Sequence, residues 1–175
     1  MVLKGVTMKK FNTHFIKKLS ILILLLVSIM TLLTGCGSSP KNFTVSDLTI
    51  TLNSNFTESK SADFDVYIKS DNVVFTAVAE TMHDLETAGY EISSLNDYCL
   101  EIMDLNKTPS SELKKRNNYY YFTNTKTTSG ANYTYVHCMF ESSTSYWVCE
   151  FVCKTKHFKH YEEQIYKWAD SIVIK

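Results

Sequence analysis

A hairpin at residues 132–155 restricts the fold most, because the alternation along its two strands favours one pairing register. The segments NYTYVHCMFE and SYWVCEFVCKT alternate apolar and polar side chains, and serines and threonines separate them. A turn at that point places Cys138 opposite Cys149, so that nearly all the apolar side chains share one face. On the other face His137 then lies opposite Glu150, and a slip of one residue would put an apolar side chain against that carboxylate. The sequence therefore predicts an antiparallel sheet built around this hairpin.

Strand-like alternation also occurs in three other segments, at 48–56, 63–80 and 119–126. Two further segments have helical spacing instead. The first follows Ser94, with Asp97 three residues later as in a capping box. The second carries aromatic and apolar anchors on one side, at Phe158, Tyr161, Ile165 and Trp168. Strands separated by two main helices, with hairpin-length turns, predict an α+β fold with an antiparallel sheet in a single domain at 43–175.

The C-terminal segment VCKTKHFKHYEEQIYKWADSIVI, residues 152–174, places a strand, a helix with aromatic anchors and a last strand in a characteristic order. This order resembles the end of the PsbP-like fold. That fold includes the photosystem II extrinsic protein, the Ran-binding protein Mog and many small bacterial lipoproteins. The resemblance implies a PsbP-like α/β sandwich, and it implies no catalytic residue.

Residues 1–36 carry a different kind of signal. A basic segment without acidic residues precedes the apolar run LSILILLLVSIMTLL, and Leu33-Thr34-Gly35-Cys36 follows it. This order is typical of a secretory signal peptide, and the run is shorter than the ~20 residues that a membrane-spanning helix needs. The ending resembles the bacterial lipobox, which implies cleavage between Gly35 and Cys36 and acylation of the Cys36 thiol. We therefore predict a signal peptide at 1–35 and a lipidated tether at 36–42; an uncleaved membrane span is the alternative.

Cleavage changes the charge of the protein. Residues 1–35 contain five of the 18 basic side chains and none of the 18 acidic ones, so the remainder has 13 against 18, a formal charge of −5. An acidic domain lacks the basic footprint of nucleic-acid-binding proteins. Two or more acyl chains on Cys36 would anchor it stably. We expect a lipid-anchored protein on the extracytoplasmic face of the cell membrane, with an envelope protein or glycan as its partner.

Two cysteines and two histidines near the C-terminus could indicate zinc: Cys149, Cys153, His157 and His160. The two cysteines share a strand face but lie about 13 Å apart along it. Ligands of one tetrahedral zinc ion must lie within about 4 Å of each other. Two histidines alone make a weak site. We therefore predict no metal and no cofactor.

Cys138 and Cys149 form the one cysteine pair for which a disulfide is plausible. A lipoprotein lies outside the reducing cytosol, and directly opposed cysteines can form a bond, although such cross-strand bonds are often strained. The alternative is that both thiols are free and pack as small apolar groups. The mass of the mature protein with and without reductant distinguishes the two states.

Asp63 and Asp65 are the carboxylate pair that most resembles catalytic machinery. On a strand they would lie ~6.6 Å apart, a spacing compatible with a glycosidase. The alternative is that they keep an edge strand soluble. The chain contains no glycine-rich phosphate loop, nucleophile elbow or kinase signature.

The consecutive aromatic residues from Tyr119 to Phe122 must point to both faces of a sheet. Either both faces are covered, or some tyrosines are exposed and can contact a protein or a sugar. Together these observations predict a non-catalytic binding or scaffolding module. A small envelope hydrolase and a ligand or metal sensor are the alternatives.

Overall fold

A computed structural model describes residues 38–175, and the predicted cleavage and acylation site at Gly35 and Cys36 lies outside them. The described chain contains ten strands, three α-helices and one short 3₁₀ helix at Ser110–Glu112. The strands are β1 (Pro40–Val45), β2 (Leu48–Asn53), β3 (Thr57–Glu58), β4 (Val66–Lys69), β5 (Val73–Thr81), β6 (Lys114–Arg116), β7 (Tyr119–Thr128), β8 (Ala131–Glu141), β9 (Ser145–Lys154) and β10 (Val173–Ile174). The helices are α1 (Met82–Thr87), α2 (Leu95–Leu105) and α3 (Thr155–Ala169).

Seven strands form one antiparallel sheet in the order β3-β4-β5-β9-β8-β7-β6. The pairing of β8 with β9 places Cys138 opposite Cys149 and His137 opposite Glu150. This is the register that the two alternating faces of the sequence require, so the prediction for the central hairpin is confirmed. The α+β class with an antiparallel sheet and two main helices is confirmed as well.

A second, three-stranded sheet has the order β1-β2-β10. Its first strand begins at Pro40, three residues before the predicted domain boundary, and pairs along its whole length with β2. Ser46 has φ 50° in the two-residue turn between these strands, a left-handed conformation that such tight hairpins require. Sequence analysis placed part of this strand in the tether, because the segment is short and mostly polar.

The large sheet carries a hydrophobic core on each face. Helix α3 and the small sheet cover one face, and the main core there includes Phe75, Phe151 and Trp168. Helices α1 and α2 cover part of the other face. The second core consists of Tyr98, Cys99, Met103, Phe122, Met139 and Tyr146. None of the helices within residues 38–175 is long and apolar enough to cross a bilayer.

Both helices on the second face begin with a side-chain cap. The Ser94 hydroxyl accepts a hydrogen bond of 3.2 Å from the Asp97 backbone N–H, as the capping-box spacing predicts. Thr81 caps α1 in the same way, accepting a 3.0 Å bond from the N–H of Asp84. Sequence analysis missed α1, although the spacing from Thr81 to Asp84 is the same signal. At six residues the helix is too short for its periodicity to stand out.

Candidate binding site

The carboxylate pair predicted at Asp63 and Asp65 is not a catalytic pair in the structure. Both residues precede β4 instead of lying on it, and both are exposed. An oxygen of Asp65 accepts a 2.8 Å hydrogen bond from the backbone N–H of Ala79, which extends the contact between β4 and β5. The hydrolase alternative loses the pair on which it depended, because one member has a structural role.

The four described cysteines are buried and their thiols are free: Cys99, Cys138, Cys149 and Cys153. Burial raises the pKa of all four thiols, that of Cys99 to about 12. These groups stay protonated near neutral pH, whereas a reactive cysteine needs its thiolate. Since the Cys138 and Cys149 side chains are directly opposed, the disulfide remains a prediction.

The cysteines and histidines considered for zinc are separated by secondary structure. Cys149 and Cys153 are buried in β9, whereas His157 and His160 lie on α3, half-buried and exposed respectively. The ring of His160 packs against the edge of Tyr161, with centroids 4.8 Å apart. Within residues 38–175, no three His, Cys, Asp or Glu side chains come together as a metal-binding group.

The run of aromatic residues alternates between the two faces, as the sequence predicts. Tyr119 and Tyr121 pack against the main core, whereas Tyr120 and Phe122 belong to the second core. Helix α2 lies over β7 and β8 and covers Phe122. The aromatic residues of this run on the second face are therefore buried or half-buried packing elements.

His137 is a buried histidine on the second face of the large sheet. The imidazole of His137 stacks on Phe122, with centroids 4.3 Å apart, and its Nε2 lies 3.3 Å from the Asn124 side-chain oxygen. Its Nδ1 lies 2.8 Å from Glu150 Oε1, but the contact is not aligned as a hydrogen bond. We regard this pair as a close electrostatic contact, because the distance is short and the carboxylate remains partly solvated.

An ionic cluster ties the end of α3 to β6 and β7. The Asp170 carboxylate accepts hydrogen bonds of 2.8 and 2.7 Å from Arg116 and bonds of 2.9 and 3.2 Å from Asn117 and Tyr119. The Arg116 guanidinium holds the pKa of Asp170 below its usual value. The Asp170 carboxylate accepts four hydrogen bonds within this cluster, so we assign the cluster a structural role.

A cavity of about 540 Å³ lies where α1, the 88–94 loop and β9 meet. We call it the acidic cavity. Apolar side chains of Met82, Leu85 and Ile92 form part of its lining and also pack against the second core. Tyr90 stands at its opening and is 43% exposed. The complete lining is Met82, Leu85, Glu86, Tyr90, Glu91, Ile92, Ser93 and Tyr146.

Tyr146, which lines the acidic cavity, belongs to a stacked pair of tyrosines. The ring of Tyr146 stacks on Tyr98 with centroids 4.7 Å apart, and the Tyr98 hydroxyl donates a hydrogen bond to Glu80. Burial and the neighbouring Glu80 raise the pKa of Tyr98 far above its usual value, and burial raises that of Tyr146. Both phenols therefore stay neutral at physiological pH. Tyr146 provides an aromatic surface and no titrating group.

The two charged residues that line the cavity are both acidic. Residues 70–106 contain eight acidic residues and no lysine or arginine. Asp84 accepts from the Thr81 hydroxyl and Asp97 from Ser93 and Ser94, so these two carboxylates serve as helix caps. Glu86 and Glu91 line the cavity, and within residues 38–175 neither forms an ion pair. Sequence analysis missed this site, although the absence of basic residues over such a length was visible.

No protein-family model matches the sequence, and no curated protein matches it. Among solved structures, one from Bacteroides thetaiotaomicron VPI-5482 is similar, with a TM-score of 0.53 at 12% identity. The alignment covers 79% of this chain and 49% of that one, so this chain spans about half the length of its relative. The solution structure of cyanobacterial PsbP (CyanoP) from Synechocystis sp. PCC 6803 aligns with a TM-score of 0.48 at 8% identity, over 79% of this chain and 94% of that one.

These similarities concern the fold alone. The structure itself defines an α+β domain with antiparallel sheets, and the Bacteroides structure shares that architecture. The alignment with CyanoP is too loose to carry an argument. The PsbP-like resemblance of the C-terminal segment therefore remains a prediction from its residues.

Proposed function

We propose that this protein is a lipid-anchored, non-catalytic binding module with a PsbP-like sandwich fold. It holds a partner on the extracytoplasmic side of the cell membrane, and the acidic cavity is its binding site. The observation that supports this most is a half-apolar cavity in which two carboxylates form no ion pair with any residue of the described 38–175 segment. Pockets of this size, with few convergent polar groups, are the usual places where proteins bind ligands.

The chemistry of the lining supports binding over catalysis. Ser93 is the one hydroxyl-bearing aliphatic side chain there, and it donates a 2.6 Å hydrogen bond to Asp97. Hydrogen bonds from Ser93 and Ser94 lower the pKa of Asp97. A carboxylate with a lowered pKa is a weak general base, so this pair is poorly suited to activate a nucleophile. The arrangement instead serves as the cap of α2.

The anchor is tested by labelling growing cells that express the protein with an alkyne-bearing fatty acid. We expect the full-length protein to be labelled and shortened by its signal peptide, and to partition with membranes. Cys36→Ala should abolish the label, while Cys99→Ala should leave it unchanged. Equal labelling of the Cys36→Ala protein would contradict acylation at this position.

Partner binding is tested by chemical cross-linking and recovery from solubilised envelopes. Tyr90→Ala removes an exposed ring at the cavity opening, and Leu105→Ala removes a side chain on α2 that is 68% exposed and does not line the cavity. We expect a specific cross-linked band that Tyr90→Ala weakens and Leu105→Ala preserves. If both variants recover the same partner equally well, the acidic cavity is not the binding site.

A further inference from the structure

We infer that the acidic cavity receives a lysine or arginine side chain from an extended segment of a partner protein. This inference rests on the proposed function, because it specifies the chemistry of the partner that the module holds. Three properties of the cavity carry it: a partly apolar lining, two exposed carboxylates that form no ion pair within residues 38–175, and an exposed aromatic ring.

The lining matches the two-part character of a basic side chain. Lysine and arginine bury their methylene stems along apolar surfaces and keep the charged group near water. Met82, Leu85 and Ile92 offer apolar surface for such a stem. Glu86 and Glu91 lie at the same cavity and are exposed, so they can meet the charge without a large desolvation cost. A bare inorganic cation would prefer more oxygen ligands and little apolar surface.

The negative charge of the segment that contains the cavity also favours a cationic partner. Segment 70–106 contains eight acidic residues and no lysine or arginine of its own to neutralise the cavity. Complementary charge steers a partner towards its site, and like charge opposes the wrong partner. An acidic peptide or an anionic glycan is therefore disfavoured at this position.

The aromatic ring and the volume indicate a peptide segment. Tyr90 is exposed at the opening, where its ring face can attract an ammonium or guanidinium group. The volume of about 540 Å³ lies in the range of sites for small organic ligands. That volume exceeds the needs of one side chain, so residues next to the basic one can enter as well. We therefore assign the cavity to a basic segment with apolar neighbours.

The test uses the full-length protein in detergent and a fluorescent peptide that alternates lysine and leucine. We expect saturable binding by anisotropy, weakened by added salt, and no binding of the peptide with glutamate in place of lysine. Exposed ion pairs contribute modestly, so the double variant Glu86→Gln, Glu91→Gln should weaken binding about two- to thirty-fold and reduce its dependence on salt. Both positions are exposed, so the fold should survive, and far-UV circular dichroism checks this.

The matched control is Glu101→Gln with Asp104→Asn. It removes the same charge from exposed positions of α2 that do not line the cavity, and it should change the affinity less than two-fold. An equal loss in both double variants would overturn the inference, because binding would then reflect overall charge. Displacement of the peptide by butylammonium at matching affinity would also overturn it, since the occupant would then be a small amine.

The outcomes separate this inference from the proposed function. If the lysine peptide does not bind but cross-linking to an envelope partner still depends on Tyr90, the inference is wrong and the proposed function stands. If cross-linking is independent of Tyr90 as well, both are wrong.

Discussion

Trp168 joins the two sheets and α3, and its replacement by alanine should destabilise the whole domain. Its indole is 4% exposed. The ring meets Phe56 edge-on with centroids 5.1 Å apart and stacks on Phe151 at 6.2 Å. Its Nε1 lies 3.4 Å from the side-chain oxygen of Asn53, at the end of β2. One side chain therefore contacts the helix, the small sheet and the large sheet at once.

The magnitude follows from this burial. Replacing a buried tryptophan by alanine typically costs about 3–5 kcal/mol, because the transfer free energy is lost and a cavity remains. A domain of this size has a free energy of unfolding of about 5–15 kcal/mol. Trp168→Ala should therefore remove at least about a fifth of the stability and lower Tm by about 10–20 °C. Trp168→Phe keeps one aromatic ring, and we expect about half of that loss.

Urea unfolding followed by far-UV circular dichroism measures the effect. The control is Lys167→Ala on the same helix turn, where the side chain is solvent-exposed and pairs with Glu163 at 2.8 Å. This change should move the unfolding midpoint little, because exposed pairs of this kind stabilise proteins weakly. The account of Trp168 would be refuted by a loss below about 1 kcal/mol, or by a Lys167→Ala loss of the same size.

Two further predictions concern ionisable groups. Because Arg116 holds the pKa of Asp170 below its ordinary value of 3.8, the charged carboxylate stabilises the fold above that pH and ceases to do so as the pH falls through its lowered pKa. Asp170→Asn should therefore unfold at lower urea than the parent at pH 7, and the two midpoints should converge in strong acid; a constant gap would contradict this. The four buried thiols should resist Ellman's reagent at pH 8 in the native protein, since Cys99 with a pKa of about 12 is almost wholly protonated. Fast modification of any of them without denaturant would show that the core is more open than described.

Much of the fold could be predicted because it depends on contacts that are close in sequence. Alternation on two faces settled the β8–β9 register, and the serine cap located the start of α2. Short elements were missed because they contain too few residues to show a period: β6 has three residues and α1 has six. Asp65 was placed on a strand because its neighbours alternate, although its carboxylate binds the backbone of Ala79 just before that strand.

The candidate site was less predictable than the fold. Most of its lining comes from α1 and the loop that directly follows it, whereas Tyr146 of β9 lies more than 50 positions further along the chain. Whether Tyr146 faces a cavity or a core depends on where α1 and the loop pass over the sheet. No local pattern contains that information. The uniform acidity of residues 70–106 was available from the sequence, but it indicates a site only once a cavity is known to lie among those residues.

The sequence by itself was enough to predict the signal peptide and the acylation site at Cys36, the strand periodicity, the hairpin register and the two main helices. These follow from neighbouring residues, whose spacing sets which side chains share a face. Only the tertiary structure decided that α1 and α2 cover part of one face of the large sheet and leave a cavity beside Tyr146. The physical reason is that a cavity is the space left between packed elements, and packing is decided by contacts between residues far apart in the chain.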